Sequence, residues 1–329
     1  MTTAVVVPCR NEAAHITALL DALAGQTCVP AEVVIVDDRS TDGTAGVAAA
    51  WASNAPGMTV RVIPGPGKGP AAAVNTGIRS TQAAYLIRLD GHSRPAPDYV
   101  ERCLQLIHRG IVGGRWVVRP GAQTTMARAI AALVSHPLGS GGAVYRRHSM
   151  ASTQVRQVET VPFGAYHRSV WVELGGLDES LAVNEDFDFN FRARQAGYDV
   201  LLDPLMLVEY FARPTLTTLA RQYARYGFWK FVMLLKAPRA LHWRQLPPAL
   251  VAPWILLTLC LAVGVPRPLT FWSAALYPMT AILGGGIIGA TRQVNPLAAA
   301  VAMGTVHVCW SAGFWTAAIR AAWRRLAQI

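Results

Sequence analysis

Two side chains that can bind a metal ion follow a short apolar run near residue 90. Residues 85–89 are mostly apolar, and Asp90, Gly91 and His92 come directly after them. Alternate residues of an extended chain point the same way, so Asp90 and His92 can converge on one ion. The simpler alternative is that Asp90 and Gly91 form only the turn that ends a strand.

The elements around this run are expected to alternate between strands and helices. Apolar runs at 4–7, 33–36, 60–63 and 85–89 predict buried strands, with helical patterns between them. This alternation is typical of a doubly wound α/β sheet, in which ligands bind outside the carboxyl ends of the strands. Three of those ends carry polar clusters, so we expect one crevice lined by residues 8–12, 37–38 and 90–92.

Further elements are predicted beyond residue 110. Apolar runs at 111–118 and 143–145 predict strands, and residues 126–135 predict a helix. Glu185 and Asp186 follow Asn184 at the start of another predicted helix, which reaches about residue 195. Acids are favoured in a first helical turn by the helix dipole, so capping alone can explain this pair. A basic cluster at 145–148 is explained equally well as a solvated surface.

The composition favours anionic partners and a membrane portion. The 329 residues are 52% hydrophobic and only 15% charged, with a formal net charge of +11. Phosphate-bearing ligands and anionic lipid surfaces rank above nucleic acid, because no nucleic-acid motif is present. The five cysteines are scattered and odd in number, which argues against a disulfide framework. Because no signal peptide opens the sequence, we expect the amino-terminal part to stay in the cytoplasm.

The pattern changes after residue 215. Gln222, Arg225, Tyr226 and Trp229 share one helical face, and the mixture of cations and aromatic residues predicts interfacial helices over 212–246. A membrane region at 247–320 follows, with two to three transmembrane segments at about 248–265, 269–290 and 297–319. Three crossings would place the arginines at 320, 324 and 325 outside, against the positive-inside rule.

Two common phosphate motifs are excluded, and a different resemblance remains. Gly67-Lys68 is followed by Gly69, so it is not a Walker A loop, and no G-x-G-x-x-G follows the first strand. Taken in order, the motifs resemble the family-2 glycosyltransferases with a GT-A fold, and most resemble their succinoglycan-type exopolysaccharide glucosyltransferase branch. The motifs are those at 5–12, 36–44, 67–69, 75–77, Asp90-x-His92, 141–147, 184–186 and 221–227.

The resemblance implies roles for residues of a catalytic domain at 1–211. It implies that Asp186 is the catalytic base and that Asp90 contacts the diphosphate and the metal, with Mn²⁺ or Mg²⁺ as the cofactor. His92 is the second candidate metal ligand. The implied donor-nucleotide residues are Pro8, Arg10, Glu12, Asp38, Lys68 and Asp90. The implied acceptor or diphosphate contacts are Glu185, Arg146, Arg147, Gln222, Arg225 and Tyr226. The common family pattern is Asp-x-Asp, so His92 is a departure, and it contacts either the metal or a phosphate.

The chemistry that this resemblance implies is sugar transfer at the cytoplasmic face of the inner membrane. A nucleotide-diphosphate donor, with UDP-glucose as a candidate, would give its sugar to a polyprenyl-diphosphate-linked saccharide with inversion. Hard cations suit carboxylate and phosphate oxygens, and a carboxylate can remove the proton of the acceptor hydroxyl. One alternative is a polyprenyl-phosphate sugar synthase. Another is a non-catalytic membrane protein that binds nucleotide sugar.

Overall fold

The computed structural model describes residues 2–53, 57–141, 143–147, 152–236, 238, 246–264 and 267–326. Residue 142 of the 141–147 motif, residue 148 of the basic cluster, residues 237 and 239–245 of the interfacial range and residue 265 of the first apolar segment lie outside the described residues. The strands are β1 (Thr3–Cys9), β2 (Glu32–Asp37), β3 (Thr59–Pro64), β4 (Tyr85–Arg88), β5 (Arg94–Pro95), β6 (Gly110–Pro120), β7 (Arg156–Gln157), β8 (Ala165–His167) and β9 (Asp199–Ala212).

The helices alternate with the strands in the first half of the chain and follow one another at its end. They are α1 (Ile16–Ala24), α2 (Thr44–Ala52), α3 (Pro70–Arg79), α4 (Tyr99–Leu106), α5 (Thr125–Val134), α6 (Pro137–Ser140), α7 (Arg168–Glu173), α8 (Glu185–Gln195), α9 (Leu216–Lys236), α10 (Leu246–Gly264), α11 (Arg267–Arg292) and α12 (Pro296–Leu326). Two compact units result, residues 1–117 with 149–210 and residues 118–148 with 211–329.

The first unit is built on a mixed sheet whose strand order is β3-β2-β1-β4-β8-β6-β9-β5, with β7 beside β9. The first four strands of that order are parallel, whereas β8 runs antiparallel to β4. β1 and β2 are buried almost throughout, and α3 packs against both of them. The predicted α/β class is therefore confirmed, with an antiparallel extension to the doubly wound part.

Two local predictions differ from the structure. The strand expected at 143–145 is a 3₁₀ turn over Val144–Arg146, because Arg146 N–H donates to the carbonyl of Ala143 and no ladder forms there. The long strand β9 was not predicted. Pro204 interrupts its sequence, and a proline ordinarily argues against a strand interior.

The second unit is helical and includes α5 and α6 as well as α9 to α12. Residues 118–148, which the motif-based boundary placed inside the range 1–211, pack here because α5 buries an apolar face of Ala127 and Ala129–Val134. Two of its helices contain stretches long and apolar enough to cross a membrane, Trp272–Arg292 and Pro296–Arg324. The apolar stretch in α10, Pro247–Leu261, is shorter.

A proline inside α10 ties that helix to α12. Pro253 has no N–H, so the carbonyl of Ala249 lacks its helical donor. The hydroxyl of Ser311 and the indole N–H of Trp315, both on α12, donate to this carbonyl at 2.9 and 2.8 Å. The backbone group that the proline leaves without a partner is thus satisfied by the neighbouring helix.

Glycines let α9 and α12 approach closely, and this contact gives a first prediction. An added Cβ at Gly227 would lie 1.9 Å from the carbonyl oxygen of Trp310. We expect Gly227→Ala to lower the free energy of unfolding by about 1–3 kcal/mol, because the helices would have to separate. Thermal unfolding in detergent measures this. Gly286→Ala on α11 is the control, since its Cβ would meet nothing within 4 Å. Equal melting temperatures for the two variants would contradict the prediction.

Candidate active site

Side chains join the loop after β1 to the loop after β2. The backbone N–H groups of Asn11, Glu12 and Ala13 donate to the side chains of Ser40, Thr44 and Asp42, at 2.9, 2.8 and 3.0 Å. These bonds hold the 10–13 loop against the carboxyl end of β2, as the sequence predicted for a shared crevice. Of the predicted nucleotide-binding residues in this region, Arg10 is exposed and Pro8 is half-buried.

Asp38 shapes the loop that carries Lys68. Its two carboxylate oxygens accept from the backbone N–H groups of Gly67, at 2.5 Å, and Gly69, at 2.9 Å. Both glycines have positive φ, +74° and +100°, which other residues rarely adopt. Lys68 lies exposed between them. Asp38 is itself buried, and in this structure its carboxylate contacts the loop at Gly67–Gly69.

Removing the charge of Asp38 should therefore loosen this loop. In Asp38→Asn, one amide NH₂ would face a backbone N–H donor, so we expect a loss of about 1–3 kcal/mol of stability. We also expect a higher KM for the donor, because the predicted nucleotide contacts at Lys68 lose their support. Thermal unfolding and initial rates measure the two effects. A variant with both values at the wild-type level would contradict this function of Asp38.

Arg88 joins carboxylates on two different elements. Its Nη2 donates to Asp90 Oδ1 at 3.2 Å and to Glu185 Oε1 at 2.9 Å. The side chains of Arg88 and Glu185 are only 9% and 8% exposed, and that of Asp90 is 27% exposed. The sequence analysis missed Arg88. A cation inside the apolar run 85–89 was the available signal, because a buried charge needs a partner.

Asp186 is held in the first turn of α8 beside this network. Its Oδ1 accepts from the N–H of Phe187 at 2.7 Å. Burial raises the pKa of Asp186 from 3.8 to about 6, with Glu185 adding to the rise and Arg88 opposing it. Asn184, the residue just before α8, has a φ of +69°. Its buried side-chain nitrogen has no acceptor among the described residues. A carboxylate with a pKa near neutrality suits proton removal at physiological pH.

Acids converge on the end of β1, and this arrangement fits a cation. Burial raises the pKa of the Cys9 thiol, and the charges of Glu12, Asp90 and Asp37 raise it further. Asp37 Oδ1 is buried and has no donor among the described residues. Within the same described residues, no three His, Cys, Asp or Glu side chains group as a metal site. A cation here would take one or two protein ligands plus phosphate oxygens, which is a common arrangement for Mg²⁺.

His92 contacts Glu12, and this contact orients its ring. Nδ1 of His92 lies 2.8 Å from Glu12 Oε1. In a neutral ring whose Nδ1 donates to the Glu12 carboxylate, Nε2 has the lone pair that a metal ion binds. Metal-binding histidines ordinarily donate their other ring nitrogen to a carboxylate in this way. Asp90 and His92 therefore fit Mn²⁺ or Mg²⁺ as ligands, and in this structure Glu12 contacts His92.

The helical unit brings together three of the predicted acceptor or diphosphate residues. The guanidinium of Arg146 lies 5.4 Å from the ring of Tyr145 and 6.0 Å from that of Tyr226. Gln222 Nε2 donates to the hydroxyl of Tyr226 at 2.9 Å. Arg147 is half-buried and Arg225 is exposed. The side chains of Arg146, Gln222 and Tyr226 thus form one cluster in the helical unit.

Comparisons with known proteins identify the family. The family model described as Glycosyl transferase family 2 matches residues 4–170. The succinoglycan biosynthesis protein ExoA of Rhizobium meliloti (strain 1021) is 33% identical over 328 residues, covering 94% of this chain and 93% of that protein. The chain belongs to glycosyltransferase family 2. The resemblance predicted from the motifs, including its succinoglycan branch, is confirmed.

Two further relatives of this glycosyltransferase are more distant. Dolichyl N-acetyl-alpha-D-glucosaminyl phosphate 3-beta-D-2,3-diacetamido-2,3-dideoxy-beta-D-glucuronosyltransferase of Methanococcus voltae is 22% identical, covering 73% of this chain and 76% of that protein. The mannosyltransferase PcManGT from Pyrobaculum calidifontis, solved in complex with GDP-Man and Mn²⁺, has a TM-score of 0.65 at 20% identity. That match covers 96% of this chain and 86% of the solved chain, and it shows the GT-A fold.

Proposed function

We propose that this glycosyltransferase is an inverting, metal-dependent enzyme of polysaccharide synthesis. It moves a sugar from a nucleotide-diphosphate donor, with UDP-glucose as the first candidate, to a polyprenyl-diphosphate-linked saccharide. The observation that carries the proposal is the position of Asp186. Its pKa of about 6 suits a base, and Arg88 and Glu185 connect it to Asp90 at the end of β4. The relationship to ExoA supports the polysaccharide pathway.

The residues of the first unit divide between donor and acceptor chemistry. Asp90 and His92 would hold the cation, which supplies Lewis-acid stabilisation of the diphosphate leaving group when it is bound. Pro8, Arg10, Glu12, Asp38 and Lys68 surround the nucleotide position, either directly or through the loops that they support. Asp186 removes the proton of the acceptor hydroxyl as it attacks. One base and one displacement give inversion at the anomeric carbon.

The distribution of charge supports a lipid-linked acceptor at a membrane surface. All 19 Asp and Glu residues lie at or before Glu209 and none lies in 118–148, so the helical unit contains none. The same unit contains 16 of the 30 Lys and Arg residues, four in 118–148 and twelve in 211–329. Its described helices also expose large apolar side chains, among them Leu256, Trp272 and Leu283. A unit that is rich in Lys and Arg, contains no Asp or Glu and exposes apolar side chains suits anionic lipid and a lipid diphosphate.

Two membrane crossings fit this charge distribution better than three. If only α11 and α12 cross, the chain before α11 and the chain after α12 lie on the same side. Arg320 and Arg324 then stay on the side of the cations that precede α10, as the positive-inside rule requires. We therefore assign two crossings, with the catalytic unit in the cytoplasm at the inner membrane.

Transfer to a defined acceptor tests the proposal. Purified full-length protein in detergent is incubated with labelled UDP-glucose, UDP-galactose, UDP-N-acetylglucosamine or GDP-mannose, polyprenyl-diphosphate-linked saccharide, and either Mn²⁺ or EDTA. We expect label to enter the lipid phase only with Mn²⁺. Mild acid, which cleaves the sugar–diphosphate bond of the acceptor, should then release the label as an oligosaccharide. Transfer to polyprenyl phosphate alone, from which mild acid releases the labelled free sugar, would overturn the proposal in favour of a polyprenyl-phosphate sugar synthase. Donor binding without transfer to either lipid would identify a non-catalytic binding protein.

A further inference from the structure

One buried guanidinium connects the two parts of the proposed reaction centre. Arg88 ends β4, two residues before Asp90, and its Nη2 is shared between Asp90 and Glu185. Glu185 opens α8, and the next residue along is the proposed base, Asp186. The side chain of Arg88 therefore bonds to the carboxylate at the proposed cation position and also to the helix that carries the base.

The surroundings of Arg88 hold it between these partners. Its backbone N–H donates to the carbonyl of Gly164 at 3.2 Å, which fixes the strand. Its Nη1 is buried and has no acceptor among the described residues. Burial alone would lower the pKa of Arg88, but the charges of Asp90, Glu185 and Asp186 reverse this effect and raise it. The guanidinium thus faces three carboxylates with a single positive charge.

A cation at Asp90 would change this balance. A divalent ion is attracted to the Asp90 carboxylate and repelled by the guanidinium that already bonds to it. Arg88 and the cation therefore compete for Asp90. When the cation binds, Glu185 remains as a partner for Arg88, and the bond between these two buried groups should strengthen.

We propose that Arg88 is a positioning residue that couples cation binding at Asp90 to the placement of Asp186. Without a cation, Arg88 is shared between Asp90 and Glu185. With a cation at Asp90, Arg88 is held by Glu185 and fixes the first turn of α8, so Asp186 is aligned only when the donor site is loaded. The inference rests on the proposed metal-dependent transfer and adds a coupling between its two halves.

The test measures Mn²⁺ binding and turnover separately. The signal of free Mn²⁺ in electron paramagnetic resonance, recorded with the full chain in detergent and UDP present, gives the Mn²⁺ dissociation constant without turnover. We expect Arg88→Gln to bind Mn²⁺ about tenfold more tightly, because a charge-assisted competitor for Asp90 is lost. We expect its kcat to fall by about tenfold or more, because α8 loses its anchor. If Arg88 had only a structural role, Arg88→Gln would lower both the Mn²⁺ affinity and kcat.

Two more variants keep the test decisive if Arg88→Gln does not fold. In Glu185→Gln, Asp90 is the remaining charged hydrogen-bond partner of Arg88, so Arg88 should compete more strongly with Mn²⁺. Mn²⁺ should therefore bind about threefold to tenfold more weakly, although residue 185 does not bind the ion. In Arg88→Lys, the charge remains, but one amino group replaces the planar guanidinium, whose Nε and Nη2 both approach Asp90 while Nη2 also bonds to Glu185. We therefore expect Mn²⁺ affinity within about twofold of wild type and a kcat reduced by about tenfold.

A matched control comes from the same unit. Arg102 bridges Asp98 and Asp203, at 2.5 and 3.3 Å, in the way that Arg88 bridges Asp90 and Glu185. Arg102→Gln should lower the melting temperature and leave Mn²⁺ affinity unchanged. Unchanged or weaker Mn²⁺ binding in Arg88→Gln, or unchanged binding in Glu185→Gln, would overturn the coupling alone. Absence of Mn²⁺ binding to the wild type would overturn the proposed metal dependence as well.

Discussion

Replacing Asp186 by asparagine should reduce kcat by about 100- to 10,000-fold, the usual contribution of a general base. The variant keeps the shape of the side chain and the N–H bond from Phe187, but it cannot accept the proton of the acceptor hydroxyl. Donor binding should persist, because Asp90 and Arg88 are unchanged. Initial rates with saturating donor, together with thermal shift on adding UDP and Mn²⁺, measure both properties.

The raised pKa of Asp186 also predicts two pH effects. In the wild type, kcat/KM for the acceptor should rise with pH through an apparent pKa of about 6, and this step should be absent in Asp186→Asn. The folded pKa lies above the ordinary value of 3.8, so the folded state binds this proton more tightly than the unfolded state does. The contribution of Asp186 to stability therefore declines as pH rises from about 4 to 6. Asp186→Asn should melt higher than wild type above pH 6 and lose that advantage near pH 4.

A neighbouring acid on the same helix provides the control. Asp188 accepts from Arg192 Nε at 2.8 Å and its side chain is 9% exposed. Asp188→Asn should lower the melting temperature, because it breaks a largely buried ion pair, and should leave kcat close to wild type. Above pH 6, the two asparagine variants should thus shift the melting temperature in opposite directions, and only Asp186→Asn should lower kcat. Full activity of Asp186→Asn would contradict its assignment as the base.

The second large effect is expected from Asp90→Asn. This change removes the carboxylate charge at the proposed cation position and replaces one of the two charged partners of Arg88 by a neutral amide. Lewis-acid stabilisation is worth several kcal/mol, so kcat/KM for the donor should fall by about 100- to 1,000-fold. Stabilisation of the fold by UDP should no longer depend on Mn²⁺. Rates and melting temperatures recorded across a Mn²⁺ titration measure these changes.

Asp98→Asn is the matched control for this prediction. Asp98 is an ion-paired aspartate of the same unit, bonded to Arg102 at 2.5 Å, and it lies just before α4. Its replacement should leave the Mn²⁺ dependence as it is in the wild type. If Asp90→Asn retained the same half-saturating Mn²⁺ concentration as the Asp98 variant, Asp90 would not be a cation ligand.

The sequence alone determined the α/β fold and the polar ends of its strands. Buried parallel strands are continuous apolar runs, and the residue after each run necessarily lies at the carboxyl edge of the sheet. The runs ending near Pro8, Asp37 and Leu89 therefore predicted that these three polar ends share one edge of the sheet, and β2, β1 and β4 are indeed parallel neighbours. The motif order also identified the family, which the relationship to ExoA confirmed. The roles assigned to individual site residues remain predictions.

Only the tertiary structure decided which side chains meet. Arg88 and Glu185 are 97 residues apart, and Glu12 and His92 are 80 apart, so no local pattern links either pair. The packing of residues 118–148 with the carboxyl-terminal helices is a similar case, because α5 resembles any short buried helix in sequence. Periodicity describes the environment of a residue along its own element. The partner of a buried charge depends on how distant elements pack, and that is decided by the fold as a whole.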